Sequence, residues 1–214
     1  MIDSDLSIRA QVLRHALDWE MDVALPLALK TLDENPDPEL LCRCMQAIAR
    51  QGEKKHAARL APYLDADDVV FRPQYLGGQG GDVQVGDVAA AVIAHLFDMP
   101  VTEIGFAKPA EHKTLGIFYE ELAIPVDDDA KETSEKDADE DSEDEESGDK
   151  QADEKLLEKF PPQRLQNMPL QQRQTWERFQ QIREANLRRQ ANRREIREKA
   201  KALLSKLPAE VSEK

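Results

Sequence analysis

The sequence predicts an all-α fold, a short stack of paired helices, on two linked observations. Leu41, Cys44, Met45 and Ile48 are apolar at i, i+3, i+4 and i+7, and Val85, Val88, Ala89 and Val92 repeat that spacing, with Leu96 continuing it. Each stretch follows a shorter apolar helix candidate, at residues 24–32 (ALPLALKTL) and 57–64 (AARLAPYL). Helix pairs that echo one another point to a helical repeat stack, an α-solenoid, rather than an enzyme core.

Taken in order, helix 1 is expected over residues 6–20, with Ile8, Val12, Leu13, Ala16 and Leu17 apolar and Ser4 or Asp5 as cap. Helix 2 covers 22–33, with Pro26 near its start, where a missing N–H costs little. Glu34-Asn35-Pro36 breaks the chain. Asp37 is placed as an N-cap, with Pro38 at the first helical position and Glu39 in the first turn of helix 3. Helix 3 runs to Gln51, and Gly52 suits a left-handed stop. Helix 4 spans 53–64. Val69-Val70-Phe71 and Val83-Gln84-Val85 flank a stretch holding Gly77, Gly78, Gly80 and Gly81, which reads as a short β-hairpin inserted between helices 4 and 5. Helix 5 covers 83–97 and is closed by Asp98-Met99-Pro100. A capping turn follows at 101–106, and a last packed segment at 115–122.

Charge divides the rest. Residues 1–126 hold 11 basic and 20 acidic side chains, 127–154 hold 3 and 16, and 155–214 hold 15 and 7. A mildly acidic helical domain (1–126) is thus separated from a basic helical tail (161–214) by an acidic linker (127–160) too poor in apolar residues to offset its ordering entropy. Within the tail, 169–204 reads as one helix of roughly 54 Å. Its apolar stripe is clear at Trp176, Phe179 and Ile182 and almost vanishes between Asn186 and Arg194. It returns at Ile196, Ala200, Leu203 and Leu207, so the pattern is not a continuous coiled coil.

With the two helix pairs assigned, helix 1 is left as a half-repeat. Stacks usually need about three repeats, so helix 1 is read either as the remnant of a larger stack or as an open end that meets another chain.

The segment DVQVGDVAAAVIAHLFDMPVTEIGF (82–106) resembles a recurring piece of HEAT-like, armadillo-type repeat proteins of planctomycete-type bacteria. There a hairpin leads into a Val-x-Val/Arg-Asp-Val-Ala-x-Ala helix and a short Gly-Phe ending. Residues 39–71 are similar to the preceding helix pair, and the resemblance covers about 24–106. It implies a HEAT-like solenoid, a protein-interaction role and no catalytic residues. Gly86 departs from it, standing where an Arg is common before the Asp-Val pair, so that Asp87 lacks its usual neighbour. Residues 165–173 with Trp176 resemble one copy of an uncharacterised bacterial Leu-x-x-Met-Pro-x-x-Gln-Arg helical motif.

No grouping announces chemistry. The Gly77–Gly81 loop lacks phosphate-loop spacing and a following Lys, so it reads as a hairpin tip. Asp65, Asp67, Asp68, Asp82 and Asp87 are assigned to capping and solvation rather than to Ca²⁺. His15, His56, His95 and His112 are dispersed. Cys42 and Cys44, two apart on a helix, point to different faces and form no disulfide framework. No metal or cofactor is therefore expected, and an enzyme is the least favoured class. No stretch reaches the ~18 apolar residues of a membrane helix. The first residues lack the basic start and apolar run of a signal peptide, and compartment is left open.

The candidate partner-binding residues lie in the tail: Trp176, Phe179, Arg188, Arg189, Arg193, Arg194 and Arg197. The aromatic pair is expected to dock within the chain, because an exposed Trp-Phe-Ile stripe is adhesive. For the arginines three uses compete: a solvated helix laced by ion pairs, a contact with the acidic tract, or nucleic-acid phosphates. The leading expectation is a non-catalytic interaction scaffold with another protein as partner. The alternative is a nucleic-acid binder that uses the repeat domain for self-association.

Overall fold

A computed structural model describes residues 3–72, 81–125 and 170–208. The chain divides into two compact units: Met1–Val126 together with Arg188–Lys214, and Asp127–Leu187. The fold is all-α with small antiparallel hairpins. In chain order come α1 (Asp3–Asp18), α2 (Ala24–Leu32), α3 (Pro38–Gln51), a 3-10 helix (Lys54–Tyr63), β1 (Val69–Phe71), β2 (Val83–Gln84), α4 (Val85–Leu96), α5 (Val101–Ile104), β3 (Glu111–His112), β4 (Gly116–Ile117), a 3-10 turn (Tyr119–Glu121) and α6 (Leu170–Leu204).

In the first unit successive helices pack on one another: α1 on α2 and α3, α2 on α3, and α3 on α4. Asp37 starts α3 as expected, its Oδ1 accepting from the N–H groups of Glu39 and Leu40 at 3.0 Å each, with Pro38 at the first helical position. The anticipated stripes of α3 and α4 are buried, but so is much of each helix outside the stripe. The reason is coverage from several sides. α3 lies among α1, α2, α4 and β4, while α4 also meets the 3-10 helix and α5. α4 is apolar nearly all round and so belongs inside. Gln46 is the buried polar side chain of α3, and its Nε2 donates to Ile117 O at 3.0 Å, tying α3 to β4. Gly116 (φ +70) turns the chain there so closely that a Cβ would stand 2.7 Å from Arg50 N.

Three expectations need correction. The segment expected as helix 4 is a 3-10 helix with Pro62 inside it. Proline has no N–H to donate and its ring crowds the carbonyl four residues back, which disfavours α geometry there. Gly52 ends α3 in extended backbone (φ −78), not left-handed, and its N–H donates to Ile48 O at 2.7 Å. The last packed segment, expected over 115–122, holds only the second strand of a further hairpin, which pairs Glu111 with Ile117 and His112 with Gly116. The first hairpin forms where expected, with Val69 opposite Gln84 and Phe71 opposite Val83. Gly77, Gly78 and Gly80 lie outside the described residues, as do the acidic linker and the Met-Pro motif of the tail.

Both cysteines are fully buried on α3 and unpaired by disulfide. Burial, followed for Cys42 by its neighbour Cys44, pushes each thiol up from 9.0 to about 12. The native protein is therefore expected to resist thiol alkylation at pH 8 and to label at both positions only on unfolding. Between pH 9.0 and 12 the folded state holds thiol protons that the unfolded chain has released. Stability is complete below that window and falls as pH rises through it, by up to about 1.4 kcal/mol per thiol for each pH unit. A denaturant titration at pH 8 and pH 10 on the chain and on its Cys42→Ala/Cys44→Ala form checks the sign: the loss on going to pH 10 should be smaller in the variant.

Candidate functional site

Two features of the first unit bear on function: how the basic helix is used, and what the domain leaves uncovered. The line Arg189, Arg193, Ile196, Arg197, Ala200, Leu203 and Leu207 follows one side of a helix, at steps of three and four. Ile196, Ala200 and Leu203 are buried in the same core as α3 and α4, and Leu207 packs against it. Gly105 (φ +122) allows the approach, since a Cβ there would stand 3.0 Å from Ile196 Cγ1. Asn192 Nδ2 donates to Pro125 O at 2.8 Å.

The arginines on that side meet the acids of the hairpin region. Asp87, in the first turn of α4, is 1 % exposed. Its Oδ2 accepts from Gln84 N at 3.0 Å, an N-terminal position that the helix dipole favours for a carboxylate. Arg193 Nε reaches both carboxylate oxygens at 2.9 and 3.0 Å, and its Nη2 donates to Asp82 O at 2.6 Å. Arg197 Nη2 donates to Gln84 Oε1 at 2.7 Å and Ala66 O at 3.2 Å and lies 3.4 Å from Asp87, while Nη1 donates to Asp67 at 3.1 Å. One turn on, Lys201 Nζ meets Asp65 at 3.0 Å. Burial pushes the Asp87 carboxyl above the ordinary range, and Arg193, the Gln84 N–H and Arg197 pull it back toward ionisation.

Gly86 has a place in this cluster. A Cβ there would stand 2.6 Å from Leu64 O and 2.7 Å from Arg197 Cζ, so the guanidinium occupies the space that the missing side chain leaves. The acids read as capping and solvating groups, and the arginines read as a basic face, are thus partly each other's partners. The arrangement clamps the second half of α6 to the helical domain.

The candidate partner residues separate accordingly. Arg193 and Arg197 are turned inward, Arg189 is half-buried beside Gly81, and Arg188 and Arg194 are exposed. In the first half of α6, Trp176 is half-buried and stacks on Phe179, ring centres 6.2 Å apart. Phe179, Ile182 and Leu187 are 42, 53 and 55 % exposed.

The sequence reading missed a second exposed surface. α1 is apolar on two sides. Leu13, Ala16 and Leu17 are buried, but Ile8 and Val12, expected in the same stripe, are 57 and 43 % exposed. They share their side of the helix with His15 and Trp19, at steps of four, three and four. Trp19 is 72 % exposed and stacks on His15, ring centres 5.4 Å apart. Glu20 takes a left-handed conformation (φ 53) that ends the helix, and Met21 and Val23 follow, exposed, in the turn to α2. The signal was the breadth of the apolar positions on α1, wider than one buried face requires.

Among the described residues no group of three or more His, Cys, Asp or Glu is placed to hold a metal ion, and no helix is long and apolar enough to cross a membrane. Comparison with protein-family models, with curated proteins and with solved structures finds no match.

Proposed function

We propose that the chain is a non-catalytic protein-interaction scaffold, a short HEAT-like stack of helical repeats closed by the second half of its basic tail. The observation that carries this reading is the two-sided α1. One face serves the core, and the other exposes Ile8, Val12 and Trp19 at the first helix of the stack. Exposed apolar patches of that kind mark interaction sites more often than accidents of folding. The successive packing of α1 to α4 supports the repeat reading. The nucleic-acid alternative loses ground because Arg193 and Arg197 are spent on Asp87.

The test is a photo-crosslinking residue at Val12, set against a control at exposed Lys113, in full-length protein in native extract. Polypeptide adducts are expected at position 12 and not at 113. Equal yields, or none at either position, would contradict the scaffold reading.

A further inference from the structure

We infer that the outer stripe of α1 is the seam of a two-fold homodimer, formed with α1 of a second copy running antiparallel. The inference rests on the scaffold reading and names its partner. A two-fold contact sets one patch against itself in reverse, so the patch must be self-complementary. Ile8, Val12, His15 and Trp19 have that property, because steps of four, three and four read the same in both directions. With the axis between residues 13 and 14, Ile8 opposes the second copy's Trp19, and Val12 opposes the second copy's His15. The stacked pair of His15 and Trp19 then meets two aliphatic side chains of the second copy.

Size agrees with this use. Three large apolar side chains at these exposures, with Met21 and Val23 beside them in sequence, amount to a patch on the order of 500 Å². That is about the upper end of what monomers leave bare, and it supplies the apolar centre of a protomer's share of roughly 800 Å² in a stable interface. Pairing joins two short stacks through α1.

The test is sedimentation of the full chain over a micromolar concentration series. A reversible monomer–dimer equilibrium is expected. Val12→Glu and Trp19→Glu are each expected to weaken it about 100-fold while leaving the melting temperature near that of the parent, since both positions are exposed in the single chain. A second readout needs no disruptive change. The photo-crosslinker at Val12 in purified protein should give an adduct of twice the chain mass, joined to the tryptic peptide of residues 15–30. A monomer at every concentration overturns the dimer, as does a dimer that survives Val12→Glu, or an adduct at position 12 only with a different polypeptide from extract. That last outcome leaves the scaffold reading standing, whereas equal yields at positions 12 and 113 in extract, or no polypeptide adduct at all, remove both.

Discussion

Replacing Asp87 by alanine is expected to destabilise the compact unit by about 3–5 kcal/mol, the usual cost of removing one member of a buried ion pair. The magnitude follows from what is left behind. The side chains of Arg193 and Arg197 are only 12 and 9 % exposed, and both lose their buried counter-ion. Arg197 keeps Asp67, but that carboxylate is 74 % exposed and offers less in a screened setting. The Gln84 N–H loses its acceptor as well. For a unit of this size each kcal/mol moves the melting temperature by roughly 2–4 °C, so a fall of about 10 °C or more is expected by circular dichroism. Asp87→Asn keeps the volume and an acceptor for Gln84 but not the charge, and should fall between alanine and the parent. A melting temperature within 2 °C of the parent for Asp87→Ala, about 1 kcal/mol or less, would show that the cluster does not bind α6 to the domain.

Gly86→Ala is expected to destabilise by about 2 kcal/mol, against the helical propensity of the two residues. In an ordinary helix interior alanine is favoured over glycine by about 1 kcal/mol. Position 86 reverses the sign because the new Cβ meets Leu64 O and the Arg197 guanidinium inside van der Waals distance. Arg197→Ala in the same chain should relieve one of the two conflicts, so the pair of changes costs less than the sum of the singles. Denaturant unfolding of the four proteins measures that coupling. Strict additivity would mean that Arg197 does not occupy the space above Gly86.

Much of the fold was legible because it rests on local signals. Asp37-Pro38 announces the start of α3, the three-and-four spacing of apolar residues marks α3 and α4, and the long helix expected over 169–204 forms as Leu170–Leu204. The 3-10 geometry was less visible, because the apolar spacing of residues 57–64 suits either helix and Pro62 sits near its end. The second hairpin carries only two residues per strand, too few for an alternating pattern to stand out.

The charge cluster was out of reach for a different reason. Arg193 and Asp87 are 106 residues apart, and Arg197 and Asp67 are 130 apart. Local periodicity cannot pair an inward arginine with a carboxylate so distant. What looked like a gap in the apolar stripe of the tail is the place where arginines continue the inward face. On α1 the difficulty was the reverse: Ile8, Val12, Leu13 and Leu17 are all apolar, and only packing decides which of them face the core.

Hydrogen exchange on the intact chain tests most directly whether the second half of α6 is part of the helical domain. Ile196, Ala200 and Leu203 share their core with α3 and α4. Backbone amides over residues 196–203 are therefore expected to exchange only through unfolding of the whole unit, at the slow rate of α4, and to lose that protection together with it in Asp87→Ala. Fast exchange across 196–203 while α3 and α4 stay protected would contradict the account, returning these arginines to a free basic helix.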